Sequence, residues 1–178
     1  MLSKVTFLAS IFLILLLLHP TIQSGCKSDF TFEDHVCVIS NPPSVKCWGF
    51  NSQGQLGMGN IDTIGNETFD MGSYLPSVNL GSDIPITLHM GEAVSCMVTT
   101  TFDSKCWGEC DNGQCAQGSS DHRGNEPNEM GDYLDIISLG VGIQVASMSV
   151  GDDFVSIRSF SNQIKSWGYN GRGFVVIF

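Results

Sequence analysis

The sequence predicts an all-β chain, a partial β-propeller of about two and a half four-stranded blades that does not close into a ring. Three observations predict this. Lys-Cys-Trp-Gly occurs at 46–49, recurs at 105–108 and returns as Lys-Ser-Trp-Gly at 165–168, so Trp48, Trp107 and Trp167 lie 59 and 60 residues apart. Between these anchors the register is kept by Cys37/Cys96, Gly54-Gln55/Gly113-Gln114, Gly65-Asn66-Glu67/Gly124-Asn125-Glu126, Met71-Gly72/Met130-Gly131, Tyr74-Leu75/Tyr133-Leu134 and Leu80-Gly81/Leu139-Gly140. Each unit also carries short apolar runs bounded by Asn, Pro, Ser and Gly, with no stretch of helical periodicity. A fixed period of this length marks supersecondary units that each need a neighbour to bury an apolar face.

The start of the chain stands apart from the repeat. Lys4 supplies positive charge, residues 7–18 are an almost unbroken apolar run, and His19-Pro20 ends it. This is the layout of a secretory signal peptide over 1–24, with Ser24 as a small residue for cleavage. The run is short for a ~30 Å hydrocarbon core, which places an uncleaved anchor second. Ser24-Gly25-Cys26 also resembles the end of a bacterial lipoprotein site, from which Gln23 departs, so a lipidated N-terminus is a further alternative.

The remaining chain, roughly 154 residues, is long enough for one domain with a real core. The repeats run over about 32–90, 91–150 and an incomplete 151–178. Each opens on an apolar stretch (His35–Ile39, 95–98, 154–157), turns at 41–44, 100–103 or 160–162, and enters the strand that ends in Trp-Gly. Such runs read as a hairpin. A glycine-rich loop follows, then a long polar segment (60–72; 119–131), then two further strand candidates (77–80 with 84–90; 136–139 with 144–150). Trp48-Gly49, Trp107-Gly108 and Trp167-Gly168 are read as structural anchors, because a residue fixed in every unit serves a need of every unit.

Seven cysteines in a chain with an export leader read first as disulfides. Cys37 and Cys47, and Cys96 and Cys106, are each ten apart; the third unit has Ser156 and Ser166 instead, losing both partners together. An even spacing across a hairpin puts the pair on one face of opposed strands, within bridging distance. Cys110 and Cys115 are both new relative to the first unit and form a candidate pair within one loop. Cys26 has no counterpart.

Charge excludes more than it assigns. A formal charge of −10 with eight Lys and Arg provides no basic stripe for nucleic acid or an anionic membrane surface. Cys106, Cys110, Cys115 and His122 have spacings near those of structural zinc, but Cys106 has a partner in register and the compartment favours oxidation. Asp62, Glu67 and Asp70, and Asp121, Glu126, Glu129 and Asp132, match no calcium-loop order. Neither a metal nor a cofactor is therefore expected. His35, His89 and His122 fall at unrelated register positions, no hydrolase, metalloprotease or phosphate-loop motif is present, and the chain is read as not an enzyme. Asn66-Glu67-Thr68 is a glycosylation acceptor in a polar loop, so Asn66 is a candidate glycan site.

The stretch Trp48-Gly49-Phe50-Asn51-Ser52-Gln53-Gly54-Gln55-Leu56-Gly57-Met58-Gly59 resembles the signature of the regulator-of-chromosome-condensation repeat family. The paired cysteines, the Gly-Asn-Glu segment, Met-Gly and Leu75-Pro76 are similar to a cysteine-containing extracellular branch of it. The resemblance covers nearly all of 32–173 and implies four-stranded blades, usually seven in a closed ring. Members serve as nuclear exchange factors for a small GTPase, as modules of large signalling proteins and as secreted enzyme inhibitors. The second unit departs at Cys110, Cys115, Ala116 and Asp135, which stand for Asn51, Leu56, Gly57 and Pro76. The third keeps register to Gly173 and then reads Phe174-Val175-Val176-Ile177-Phe178. The export leader and acidity oppose the nuclear exchange role.

The sequence reading is thus a secreted binding module. It is expected to be a truncated piece of a longer propeller, with a protein partner and self-association through open blade edges. A non-functional gene fragment and an extracellular enzyme are the alternatives. The binding surface is expected on the loops after Trp-Gly and on the 60–72-type segments.

Overall fold

The computed structural model of the chain describes residues 34–171 and 173. The leader at 1–24, Cys26 and the tail at 174–178 lie outside them. The described residues form strands β1 (His35–Ile39), β2 (Val45–Gly49), β3 (Pro85–Met90), β4 (Val94–Thr99), β5 (Ser104–Gly108), β6 (Val145–Val150), β7 (Phe154–Ser159) and β8 (Ile164–Gly168). These make three small antiparallel sheets, β1-β2, β3-β4-β5 and β6-β7-β8, called blades 1, 2 and 3. Two single-turn 3-10 helices, Gly72–Tyr74 and Gly131–Tyr133, close the polar segments.

The hairpins follow from the repeat. β4 reads Val-Ser-Cys-Met-Val-Thr, rich in the β-branched side chains that suit a pleated surface. In all three hairpins the paired register is the same: Cys37 faces Cys47, Cys96 faces Cys106, and Ser156 faces Ser166. Each ends on the glycine after Trp. Gly49, Gly108 and Gly168 have φ of 111°, 101° and 112°. A Cβ there would meet the carbonyl oxygens of Asp34, Ala93 and Asp153 at 2.5, 2.3 and 2.3 Å. Only glycine allows both the conformation and the approach, which explains why Trp-Gly survives where its cysteine does not.

The sheets do not keep the phase in which the repeat is read. The segment 85–90 pairs with β4 and so opens blade 2, and β6 likewise opens blade 3. The segments 77–80 and 136–139 are extended but form no ladder. Val78 N–H donates to Val45 O, and Ile137 N–H to Ser104 O, each at 2.8 Å. The fourth strand of each unit is thus an outer segment held by one backbone bond and by the burial of alternating side chains, Val78 and Leu80, then Ile137 and Leu139. An apolar run shows that a segment is half-buried, not which neighbour it pairs with.

The core lies between sheets. One cluster joins Cys37, Val45, Cys47 and Leu56 of the first unit to Met97, Trp107, Met130 and Leu134 of the second. The other joins Cys96, Cys106, Cys115 and Ile137 to Val145, Met148, Val155 and Ile157, with Trp167 packed against it. None of the sheets closes on itself. The array is open, and the outer faces of blades 1 and 3 have no neighbour among the described residues.

Candidate functional site

The two segments expected to bind a partner have different fates. The loop after Trp48-Gly49 is mostly buried, with Asn51, Gln55 and Leu56 all 0 % exposed. Asn51 holds it closed: its Nδ2 donates to Asn60 O and Asp62 O at 2.9 and 3.1 Å, and its Oδ1 accepts from Leu56 N–H at 2.9 Å. The Gln55 carbonyl accepts from Trp107 Nε1 at 3.0 Å and from Ser95 Oγ at 2.8 Å, both in blade 2. One unit on, the Gln114 carbonyl accepts from Trp167 Nε1 at 2.8 Å. Gly54 meets the Asn125 backbone so closely that a Cβ would sit 2.4 Å from its nitrogen, and Gly59 N–H donates to Gly124 O at 2.9 Å. Through Leu56 this loop is a joint between blades and not a free surface, which narrows the expectation to its far end, where Gly57, Met58 and Gly59 line a groove. Its signal was in the sequence: residues repeated in every unit serve the contact between units.

The polar segments do reach solvent. Between them runs a groove of about 400 Å³, walled by Met58, Ile64, Pro76, Pro127, Met130 and Tyr133, with Asn60, Ser77, Asn79, Glu126 and Asn128 as its polar lining. One ring in its lining is exposed, Tyr133 at 72 %; elsewhere on the first polar segment the exposed rings of Phe69 and Tyr74 meet edge to face at 5.3 Å. Two carboxylates close turns in the polar segments. Asp70 Oδ2 accepts from Gly65 N–H and Glu67 N–H at 2.8 and 3.0 Å. In the second unit Glu129 Oε2 accepts from Gly124 N–H and Glu126 N–H at 3.0 and 2.9 Å. Two of the acidic residues weighed as calcium ligands thus close turns, while Asp62, Glu67, Asp121, Glu126 and Asp132 are exposed.

Charge near the groove is arranged across the joint. Lys105, almost fully buried, reaches Asp83 Oδ2 at 2.6 Å and donates to Gly131 O at 3.0 Å. Lys46, its counterpart, donates to Leu75 O. Asp132 accepts from Ser82 N–H and Oγ–H at 3.0 and 3.1 Å, and these bonds, helped by Lys105, hold its carboxyl below the usual range. Burial first, then the Asp111 and Asp153 carboxylates, push Glu109 above it.

The cysteines are bridged as Cys37–Cys47, Cys96–Cys106 and Cys110–Cys115. In the third hairpin Ser156 and Ser166 share a hydrogen bond of 2.6 Å. The cysteines of the zinc reading are all occupied by bridges, and His122 Nδ1 accepts from Cys110 N–H at 3.3 Å. Among the described residues no group of three or more His, Cys, Asp or Glu is placed to hold a metal ion. Trp107 is fully buried, whereas Trp48 and Trp167 are half-buried. Asn66 is exposed on the first polar segment. No helix of the described residues is long and apolar enough to cross a membrane.

No family model matches the chain. Solved structures do. Human WBSCR16 superposes with a TM-score of 0.61 at 16 % identity, over 81 % of this chain and 34 % of that one. Prp20p of Saccharomyces cerevisiae gives 0.55 at 14 %, over 82 % and 33 %, and yeast RCC1 (Prp20) bound by Kap60 gives 0.54 at 15 %, over 79 % and 31 %. The chain spans about a third of the length of these structures. They are propellers of the regulator-of-chromosome-condensation type, and the likeness establishes the fold: the described residues are an open run of such blades.

Proposed function

We propose that the chain is an extracellular protein-interaction module that binds a protein partner in the groove between its two polar segments. The observation that carries this is the groove itself, apolar-walled, rimmed by Tyr133, and set on loops that carboxylates and bridged hairpins hold in place. Exposed aromatics beside rigid apolar walls are what protein hot spots are built from. An acidic chain with Glu126 in the groove favours a partner with basic or neutral contact residues. The leader and three bridged cysteine pairs support an oxidising, extracellular setting. Prp20p has binding properties to Gsp1p and histones, and yeast RCC1 is bound by Kap60, which supports a protein-binding use of such blades. A second class of partner is another copy of the chain, meeting it at the open edges of the array.

The test is a photo-crosslinking residue placed at Tyr133 in the secreted chain, with and without the exposed groove substitution Pro76→Arg. One protein cross-linked from the surrounding fluid, and lost with Pro76→Arg, supports the reading. Capture indifferent to Pro76→Arg, or no capture, overturns the groove; retention of the chain inside the cell overturns the extracellular part.

A further inference from the structure

Along the groove, one edge of the first unit is left unpaired. The outer segment 76–80 lies beside β2, with Val78 N–H donating to Val45 O at 2.8 Å. In an extended segment the main-chain groups of alternate residues point to opposite edges. Val78 turns to β2, so Ser77 and Asn79 turn away from it, and both line the groove. Both are exposed, and among the described residues nothing bonds to their N–H or C=O groups. Their side-chain oxygens are already engaged within the unit. Ser77 Oγ meets Ser44 Oγ at 3.2 Å, and Asn79 Oδ1 accepts from Gly81 N–H at 3.0 Å. What this segment still offers a partner is its backbone.

The facing wall supplies a charge and an apolar bed. Asp83 pairs with Lys105 at 2.6 Å, and Glu129 lies 3.8 Å from Arg123. The exposed Glu126 carboxylate in the groove makes no ion pair among the described residues. Pro127, Met130 and Tyr133 stand on the same wall. One wall belongs to the first unit and the other to the second, all within residues 57–133, so no further blade is needed to build the site.

We infer that the groove takes an extended peptide segment of the partner, which adds a strand to the open edge at Ser77 and Asn79 and carries a large apolar side chain with, two residues along, a Lys or Arg for Glu126. The inference rests on the groove reading and says what enters it. Strand addition suits an open edge beside a side-chain pocket: main-chain bonds hold the segment, and the facing wall reads its alternate side chains. The spacing of two follows, because side chains two apart share a face of a strand. The cation follows from charge. An unpaired carboxylate in a chain of net charge −10 draws a basic side chain and repels an acidic segment. A partner that offered only a flat folded surface would leave the main-chain edge without bonds.

The test pans the purified, oxidised full chain against a displayed library of short random peptides and measures the selected peptides by fluorescence polarisation. Peptides with Lys or Arg two residues from a large apolar side chain should be enriched, and Pro76→Arg should abolish their binding. Making that Lys or Arg neutral should weaken binding about threefold, a difference that Glu126→Gln removes. Ser77→Pro takes away the outward N–H and keeps the Val78 bond, so it should weaken binding about fivefold more than Ser77→Ala. Should Ser77→Pro not fold, methylating the peptide's alternate backbone nitrogens reads the same bonds: one set should abolish binding and the other leave it. Peptides indifferent to Pro76→Arg, to both methylated sets or to charge overturn the inference. So does a cross-link from Tyr133 into this chain or a second copy of it. An empty selection, with Tyr133 still cross-linking a partner protein in the Pro76-dependent way, overturns the inference and leaves the groove reading standing; loss of peptides and cross-link together overturns both.

Discussion

His35 sits in the first joint, 1 % exposed, with Nε2 2.7 Å from Ser95 Oγ. The Ser95 hydroxyl donates to Gln55 O, so its oxygen accepts from the imidazole. Desolvation lowers the His35 pKa from 6.5 to about 4, with the Glu92 carbonyl and Asp34 opposing. The sign follows from which state binds the proton first. The unfolded chain protonates His35 as pH falls through 6.5, and the native chain only near 4, so the native state loses ground between those values and keeps its full stability above 6.5. The loss should amount to about 3 kcal/mol by pH 4. Urea midpoints at pH 4, 5, 6 and 7.5 check it: His35→Gln should flatten the slope, and an unchanged slope would place it on other groups. The tryptophans differ in a way their identical motifs conceal. Trp107→Ala should cost about 3–5 kcal/mol, as expected of a large buried side chain, and half-buried Trp48→Ala clearly less. Chemical denaturation of the two variants orders them. The sequence shows three equal anchors, because burial depends on the blade alongside and not on the tetrapeptide.

The hairpin is the element that holds each blade, and its cross-link lies in the joint as well as across the strands. Cys37 and Cys47 face the second unit, Cys96 and Cys106 the third. Ser156 and Ser166 stand opposed in the same register. Ser156→Cys with Ser166→Cys should therefore oxidise spontaneously and stabilise the chain by about 2 kcal/mol, the order expected for a short closed loop. Thiol titration and a rise in denaturation midpoint would show it; two free thiols in the folded variant would count against the register. The register of this pair could be read from the spacing of ten, because strand alternation has a period of two. The assignment of 85–90 to the next sheet could not, because pairing is settled by long-range contact. The burial of the loop after Trp-Gly had only the indirect signal of Gly-Gln repeated in register, since Gly, Gln and Asn look like a solvated turn until the Gly124 segment is seen lying on them.

At the scale of the whole molecule, three sheets in an open row depend on two joints, and the joints are unequal. On the first, Gly54 faces the Asn125 backbone and Gly57 faces Met130, with the would-be Cβ of Gly57 2.9 Å from Met130 Cε. On the loop one unit later, Gly113 and Gly118 have no atom within 4 Å of such a Cβ. Gly54→Ala should thus separate the first two blades and cost several-fold more than Gly113→Ala, whose penalty is backbone strain of about 1 kcal/mol. Thermal unfolding of both variants checks the order; equal losses would mean that the joint is not what the glycine serves. The open row was legible from the count of repeats against the chain length. The inequality of its joints was not, because it depends on what lies over each loop.

The second loop is also where the two units have parted company. Ala116 stands at the place of Gly57, and Cys110 and Cys115 at the places of Asn51 and Leu56, all within the loop whose glycines touch nothing. Ala116 holds a φ of 51°, the local strain that a glycine would relieve. Where Asn51 fastens the first loop through hydrogen bonds, the second is fastened by a bridge of its own, Cys110–Cys115. Cys110, Gln114 and Cys115 are buried in the joint with blade 3, so the exchange keeps the loop's burial and replaces a hydrogen-bonded clasp with a covalent one. What a joint requires is a shut loop that offers a backbone carbonyl to the next tryptophan, and either clasp supplies it.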